Sequence, residues 1–218
     1  MRREAIDDVI LHGNSVRLEP LGRHHVDQLV AASSSGGDLY RWSPVPLSVD
    51  AARAYVETAL QWKAEGRALA FATIDRQSDR VIGSSRFFDI ARWAWPAGHE
   101  RAEPNVVDTC EIGYTWLAPS AVRTAANTEA KLLMLTHAFE TWRACSVCFH
   151  ADARNERSRA ALTRIGAQFE GILRSHRLAA DLIPRDSARF SITAADWPQA
   201  RRRLEERLSQ PRPKTVPA

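Results

Sequence analysis

VDTCEIGYTWLAPSAVRTAANTEA, residues 107–130, is the stretch that decides the fold. An apolar run to Leu117 reads as a strand, Ala118 to Ala126 as a small-residue turn, and the residues from about Asn127 as the start of a helix. A strand that feeds a helix through a short loop suits an anion. The first N–H groups of a helix lack intrahelical partners and lie at the positive end of its dipole. The turn itself, Arg123-Thr124-Ala125-Ala126-Asn127, contains no glycine. Strand alternation places Thr109, Glu111, Gly113 and Thr115 on one face, with Cys110, Ile112 and Tyr114 on the other.

Upstream, SVRLEPL (15–21) reads as a first strand, and HHVDQLVAA follows with Val26, Leu29 and Val30 at helical spacing. Ser48 is placed to cap a second helix whose apolar stripe is Ala52, Tyr55, Val56, Ala59 and Leu60. ALAFATI (68–74) and RVIGSSRFFDI (80–90) form a strand pair. The long loop ARWAWPAGHERAEPN then carries Trp93 and Trp95, expected to cover a cleft or to meet a second copy.

Downstream, a helix spans about 127–142 with Thr128, Leu132, Leu135, Phe139 and Trp142 in register. SVCFHAD is a buried strand, and Asn155 caps a short helix that ends at Gly166. QFEGILRSHRLAA and RDSARFSIT close the sheet, and Asp196 with Gln199 is placed to form a capping box for a last helix. This order predicts one α/β domain of the α+β kind: a mixed, mostly antiparallel sheet of about seven strands flanked by helices. An N-terminal extension (1–14), the domain (15–195) and a C-terminal helix with a flexible tail (196–218) complete the expected organisation.

The chain has 218 residues, 44% of them hydrophobic, enough for a substantial core. No apolar run approaches the roughly 20 residues that span a bilayer, and the N-terminus lacks the apolar centre of a signal peptide. The expectation is a soluble, cytoplasmic protein with no membrane partner. The net charge of +4 comes from scattered arginines. A basic face steers anions, but Arg201-Arg202-Arg203 runs into Glu205-Glu206-Arg207 and reads as a solvated helix face, so nothing beyond charge points to nucleic acid. The cysteines, Cys110, Cys145 and Cys148, are too few for a disulfide framework, and the single CxxC has no second pair to complete a zinc site. No metal is expected.

Four motifs, E-I-G-Y-T-W-L (111–117), N-T-E-A (127–130), D-A-R-N-E-R-S (152–158) and R-I-G-A (164–167), resemble those of the GNAT superfamily of N-acetyltransferases. They are most similar to the branch that acetylates alanine or serine N-termini of ribosomal proteins. The resemblance covers about residues 15–195. It implies a GNAT-like sheet with a splayed central strand, and acetyl-CoA as co-substrate. The diphosphate would meet the helix start, the pantetheine arm an exposed strand edge, and the thioester carbonyl a donor where charge develops. By this resemblance Trp116, Leu117, Arg123, Thr124, Ala125, Ala126, Asn127, Thr128 and Asn155 contact acetyl-CoA, with backbone N–H groups near Tyr114 to Leu117 serving the arm and the oxyanion.

The family loop runs Q/R-x-x-G-x-G/A. Aligned on T-E-A, Ala125 stands at its first glycine, Asn127 at its second small position and Val122 at the Q/R position, with Arg123 one step later. Arg123 and Thr124 then offer a charge and a hydroxyl, and Asn127 an amide donor. If the glycine serves positive φ, Ala125 carries a strain of about 1 kcal/mol.

Attack on a thioester needs a neutral amine, so a base is useful. The resemblance makes Glu111 the first choice, acting through a water, and makes Ser158 the donor to the departing sulfur. An arginine partner on the sheet face is the plain alternative for Glu111. His150, which shares a strand face with Cys148, is an alternative base, and Cys110 lies opposite Glu111, so no catalytic cysteine is expected. Trp42, His150 and His176 belong to the acceptor side, with Asp186 shaping its mouth or pairing with arginines and Phe190 replacing a family tyrosine. The implied activity is direct acetyl transfer in a ternary complex to a primary amine, on a protein N-terminus or a small molecule. A non-catalytic acyl-CoA-binding or regulatory module is the alternative, motivated by the altered loop. A monomer and a homodimer are both compatible with the sequence.

Overall fold

Strand β3 (Leu69–Asp75) is apolar on both faces because both faces are covered. Leu69 and Phe71 join one core, while Ala70, Ala72 and Ile74 join another. The computed structural model describes residues 6–103, 105–179 and 181–210; the first five residues and the expected tail at 211–218 lie outside the described residues.

Around β3 the chain builds β1 (Leu11–His12), β2 (Val16–Pro20), α1 (Val26–Ser33), α2 (Val49–Ala64), β4 (Arg80–Ala91) and β5 (Thr109–Leu117). It continues with α3 (Ala126–Thr136), β6 (Ser146–Asp152), α4 (Glu156–Arg164), β7 (Gln168–Leu178), β8 (Pro184–Thr193) and α5 (Trp197–Ser209). The mixed, mostly antiparallel α/β architecture is the expected one. The sheet has eight strands in the order β1-β2-β3-β4-β5-β6-β8-β7, and only β5–β6 is parallel. The strand beyond the expected seven is β1, which lies within residues 1–14. Ile6 is buried in the larger core, so the described residues of this segment, 6–14, pack against the sheet.

Helices α1 and α2 cover one face of the sheet. Ser48 caps α2 by accepting from the Ala51 N–H at 3.2 Å, and Ala52, Val56 and Ala59 are buried beneath it, as expected. On the opposite face α3, α4 and α5 pack over the larger core, into which Trp197, Ala200 and Leu204 deliver the last helix. The buried stripe of α3 is Ala126, Ala130 and Met134 with Leu135, continued through a π turn at His137–Thr141 by Ala138 and Phe139. Thr128 and Leu132, expected on that stripe, are only half-buried. The two alanines let α3 lie close to the sheet. Asp196 makes no capping box: its carboxylate accepts instead from Thr193 N–H, Thr193 Oγ1 and Gln168 Nε2.

The feature that positions the site lies between β5 and β6. Their pairing covers Thr109↔Ser146, Cys110↔Val147 and Glu111↔Cys148, and stops there. Beyond it β5 runs on beside β4 alone, and β6 beside β8 alone. The central strand is splayed.

Candidate functional site

A bulge sets the aim of β5. Ser84 pairs with Trp116 and Arg86 with Gly113, so two residues of β5 face one of β4, and Tyr114 takes φ +51°. The extra residue reverses the expected alternation: Tyr114 shares the Glu111 face, and Thr115 points to α3. Tyr114 meets Phe88 at 5.1 Å and Trp62 at 5.8 Å between ring centroids, whereas Thr115 Oγ1 accepts from Lys131 of α3 at 2.7 Å. Gly113 keeps the crowded face open, since a Cβ there would lie 2.8 Å from Phe88 Cε1.

After β5 the loop reaches α3 without strain at Ala125, whose φ and ψ of −65° and −24° are helical. The positive φ falls on Arg123, at +64°. Strain assigned to the glycine position is therefore absent there. The Thr124 hydroxyl is spent inside the loop, donating to Ala121 O at 2.7 Å and accepting from Ala126 N–H at 3.2 Å. The N-cap Ala125 makes no side-chain hydrogen bond, so, Ala126 N–H apart, the first turn of α3 offers N–H groups to an anion. Asn127 lies within that turn with its buried Oδ1 unpartnered. Thr128 follows on the same turn. Of the β5 contacts, Trp116 buries its ring under α1 and α2, and Leu117 gives its carbonyl to the Tyr40 hydroxyl at 3.0 Å. What both offer a ligand is backbone.

Beside the splay, Glu111 is 4% exposed. Arg177 of β7 donates to both its oxygens, at 3.3 Å to Oε1 and 2.8 Å to Oε2, and reaches Asp89 at 3.0 Å. His150 Nδ1 lies 2.9 Å from Glu111 Oε2 but off the hydrogen-bonding line. The His176 ring sits 4.7 Å from that of His150. Burial, reinforced by the positive Arg177 and by His150, holds His176 below the ordinary histidine range. Cys110 faces the opposite core, and burial pushes its thiol far up. Cys148 accepts from Arg189 at 3.3 Å through its sulfur, and all three cysteines are free.

A model of the acetyltransferase (GNAT) domain matches residues 15–168. The chain belongs to this family. A GCN5-related N-acetyltransferase from Brucella melitensis is 28% identical with a TM-score of 0.79, over 95% of this chain and 89% of that one. Mycobacterium smegmatis RimJ, solved with CoA-disulfide, is 21% identical over 92% of this chain and 93% of its own, TM-score 0.73. The ribosomal-protein-S5-alanine acetyltransferase of Vibrio fischeri is 14% identical, TM-score 0.67, over 87% of this chain and 99% of that one. The last two share the fold. No curated protein matches the sequence.

Within this GNAT domain the remaining expected residues divide by region. Asn155 caps α4 by accepting from Ser158 N–H at 3.0 Å, and the half-buried Ser158 hydroxyl makes no hydrogen bond among the described residues. Trp42 lies under Arg154, 4.6 Å from its guanidinium carbon, and Arg157 donates to Leu39 O at 2.9 Å. The connection between α1 and α2 is thus fastened to the start of α4. Asp186 accepts from Ser175 N–H at 2.8 Å and forms no ion pair with an arginine among the described residues. Phe190 is buried against Phe169.

The long loop is anchored at the start of β5, where buried Asp108 accepts from Trp93 N–H, Trp95 Nε1 and Arg101 Nε. Asp108 precedes the end of β5 that still pairs with β6, where Thr109 meets Ser146. Sequence reasoning missed Arg177, Phe88 and Arg86 around Glu111 and Tyr114. Among the described residues no helix is long and apolar enough to cross a membrane.

Proposed function

We propose that this GNAT domain moves an acetyl group from acetyl-CoA to a primary amine, on a protein N-terminus or a small molecule, by direct transfer in a ternary complex. One observation carries the reading: β5 parts from β6 immediately after Glu111↔Cys148. The parting leaves a strand edge with unspent backbone groups, beginning beside Glu111 and ending at the uncapped start of α3. An amide-bearing arm pairs with such an edge, and a diphosphate with such a helix start. RimJ of M. smegmatis, which shares the fold and was solved with CoA-disulfide, supports coenzyme A as the ligand.

Acetyl-CoA supplies the activated acyl group; the chain supplies position and proton traffic. A peptide N-terminus titrates near about 8 and lysine near about 10.4, so the amine must lose a proton near neutral pH. Glu111 accepts it through one water, and Ser158 donates to the departing sulfur. Backbone N–H groups near Tyr114 to Leu117 meet the developing oxyanion. A second arrangement is favoured by the Arg177 clamp on both oxygens of Glu111: His150, 2.9 Å away, takes the proton and Glu111 steadies the imidazolium. A binding-only module loses its main motive, because Ala125 carries no left-handed strain.

Thermal melting with acetyl-CoA tests binding, since a ligand at 100 times its Kd adds about 2.7 kcal/mol. Thiol release with a panel of amines then tests transfer. No melting shift at any acetyl-CoA concentration sinks the reading. A shift with no thiol release from any amine transfers the case to the binding module.

A further inference from the structure

Arg86 of β4 is 1% exposed, among the largest side chains fully buried in the molecule. Its guanidinium carbon lies 4.2 Å from the ring centroid of Tyr114, 4.6 Å from Tyr55 and 5.5 Å from Trp62. Aromatic rings therefore surround the cation, a favourable contact. They leave its hydrogen-bonding edge without an acceptor. Nε and Nη2 are buried and donate to nothing among the described residues.

Those two atoms form the side-on fork that matches the two oxygens of a carboxylate. The same chain shows the match elsewhere. Arg23 uses Nε and Nη2 to hold Glu57 at 2.6 and 2.9 Å, and Arg154 uses them on Asp152 at 2.9 and 2.8 Å. A buried donor left without an acceptor is costly, more so when charged. Arg86 keeps that cost at the place where an amine must bind. In the β4–β5 ladder Arg86 pairs with Gly113 and Phe88 with Glu111, so Arg86 and Glu111 share a face two residues apart, roughly 7 Å.

The neighbouring cations do not offer the same edge. Arg177 is committed to Glu111 and Asp89, and Arg154 to Asp152 and Asp181. Arg185 donates Nε to Ser187 Oγ and has no described carboxylate within ion-pair distance. Arg177 and Arg154 thus each meet two carboxylates, while Arg86 and Arg185 meet none among the described residues. Tyr55, Trp62 and Tyr114 are each only half-buried, so rotation of one ring uncovers the fork.

We propose that the amine acceptor carries a carboxylate, and that the Nε–Nη2 edge of Arg86 receives it. This rests on the acetyl-transfer reading and names the substrate class for the same site. The rings hold the guanidinium in place, the carboxylate reaches the Nε–Nη2 edge once a ring swings aside, and the amine is left near Glu111.

The test is thiol release from acetyl-CoA with matched acceptors: alanine against alaninamide, 4-aminobutyrate against its amide, and an N-terminal Ala-Asp dipeptide amide against Ala-Asn. A site built around a buried donor pair rejects the analogue that leaves it unpaired. In at least one pair the acid should exceed the amide by about tenfold or more in kcat/KM, carried by KM. Arg86→Lys, which keeps the charge and loses the fork, should bring the members of that pair within about twofold, with acetyl-CoA affinity unchanged by calorimetry. Arg86→Met should do the same; if it fails to fold, the wild-type ratio and the lysine variant still decide. Acids and amides used alike by the wild type, or a preference that survives in the lysine variant, overturns the acceptor assignment and leaves the transfer reading standing. No heat with acetyl-CoA overturns both.

Discussion

Among the described residues Lys131 has only hydroxyls as hydrogen-bond partners: its Nζ donates to Ser85 Oγ at 3.1 Å and to Thr115 Oγ1 at 2.7 Å. Burial pulls its pKa from 10.5 down to about 7. A lysine whose folded value lies below its unfolded value sheds its proton on folding between the two. The Lys131 contribution to stability is therefore least favourable below pH 7, where the charge is buried, and improves as the pH climbs from about 7 toward about 10.4. Lys131→Met keeps the length and drops the charge, so it should raise the Tm at pH 6 and flatten the rise above pH 7. Melts of both proteins from pH 6 to 9.5 decide it, and parallel curves would clear Lys131.

The base is also a residue-scale question. Glu111→Gln should lower single-turnover thiol release by about 10²–10⁴-fold and spare acetyl-CoA affinity. His150→Gln separates the two arrangements. A loss as large as that of Glu111→Gln makes the imidazole the proton acceptor, and a loss under about tenfold leaves the role with Glu111. Unchanged release in Glu111→Gln removes the carboxylate from both.

At the scale of the element, the stretch from β5 to α3 shows what periodicity reads and what it cannot. The strand, the turn and the helix are where a period-2 run and a small-residue break place them. The faces are not, because one extra residue at Tyr114 reverses the parity of everything after it. Gly113, an isolated glycine inside the strand, stands directly before that bulge, but period-2 spacing alone does not register it. The loop misleads in a similar way. Ala125 replaces a family glycine, yet it is helical, and the left-handed residue is Arg123. Restoring the glycine should therefore gain nothing. Ala125→Gly is expected to leave acetyl-CoA affinity within about twofold and to change stability by less than about 0.5 kcal/mol, since residue 125 is the N-cap, where glycine serves at least as well as alanine. Tighter binding in that variant, measured by calorimetry, would show that approach distance at residue 125 matters after all.

Across the whole molecule, element order was legible because amphipathic spacing is local, and the site was legible only where its residues stand in one motif. Glu111 sits inside such a motif. Its clamp, Arg177, lies 66 residues away on the edge strand and is brought in by the β7–β8 hairpin, which no local pattern encodes. Glu129 is a parallel case with a structural consequence. The T-E-A motif served to align the loop, but in the folded chain its carboxylate accepts from Asn14 N–H at 2.7 Å, Ser15 N–H at 2.8 Å, Ser15 Oγ at 2.5 Å and Val16 N–H at 2.8 Å. It pins the β1–β2 turn to the first turn of α3. Gly13 makes room for it, since a Cβ there would lie 2.6 Å from Glu129 Cδ.

Burial opposes the charge on Glu129, and the donors on Ser15, Asn14 and Val16 outweigh it, holding the carboxyl below its ordinary range. A depressed carboxyl adds stability that is present above its unfolded value, about 4.3, and is lost as the pH falls through the folded one. Glu129→Gln keeps the shape but turns an amide donor toward backbone donors. It should cost roughly 2–3 kcal/mol, lower the Tm by roughly 5–10 °C, and flatten the acid limb of stability below about pH 4.3. Because the pinned turn begins the helix that would face the diphosphate, acetyl-CoA affinity should fall with it. An unchanged Tm would show that the N-terminal strands hold without this latch. A lowered Tm with full affinity would confine Glu129 to folding and separate the start of α3 from ligand binding.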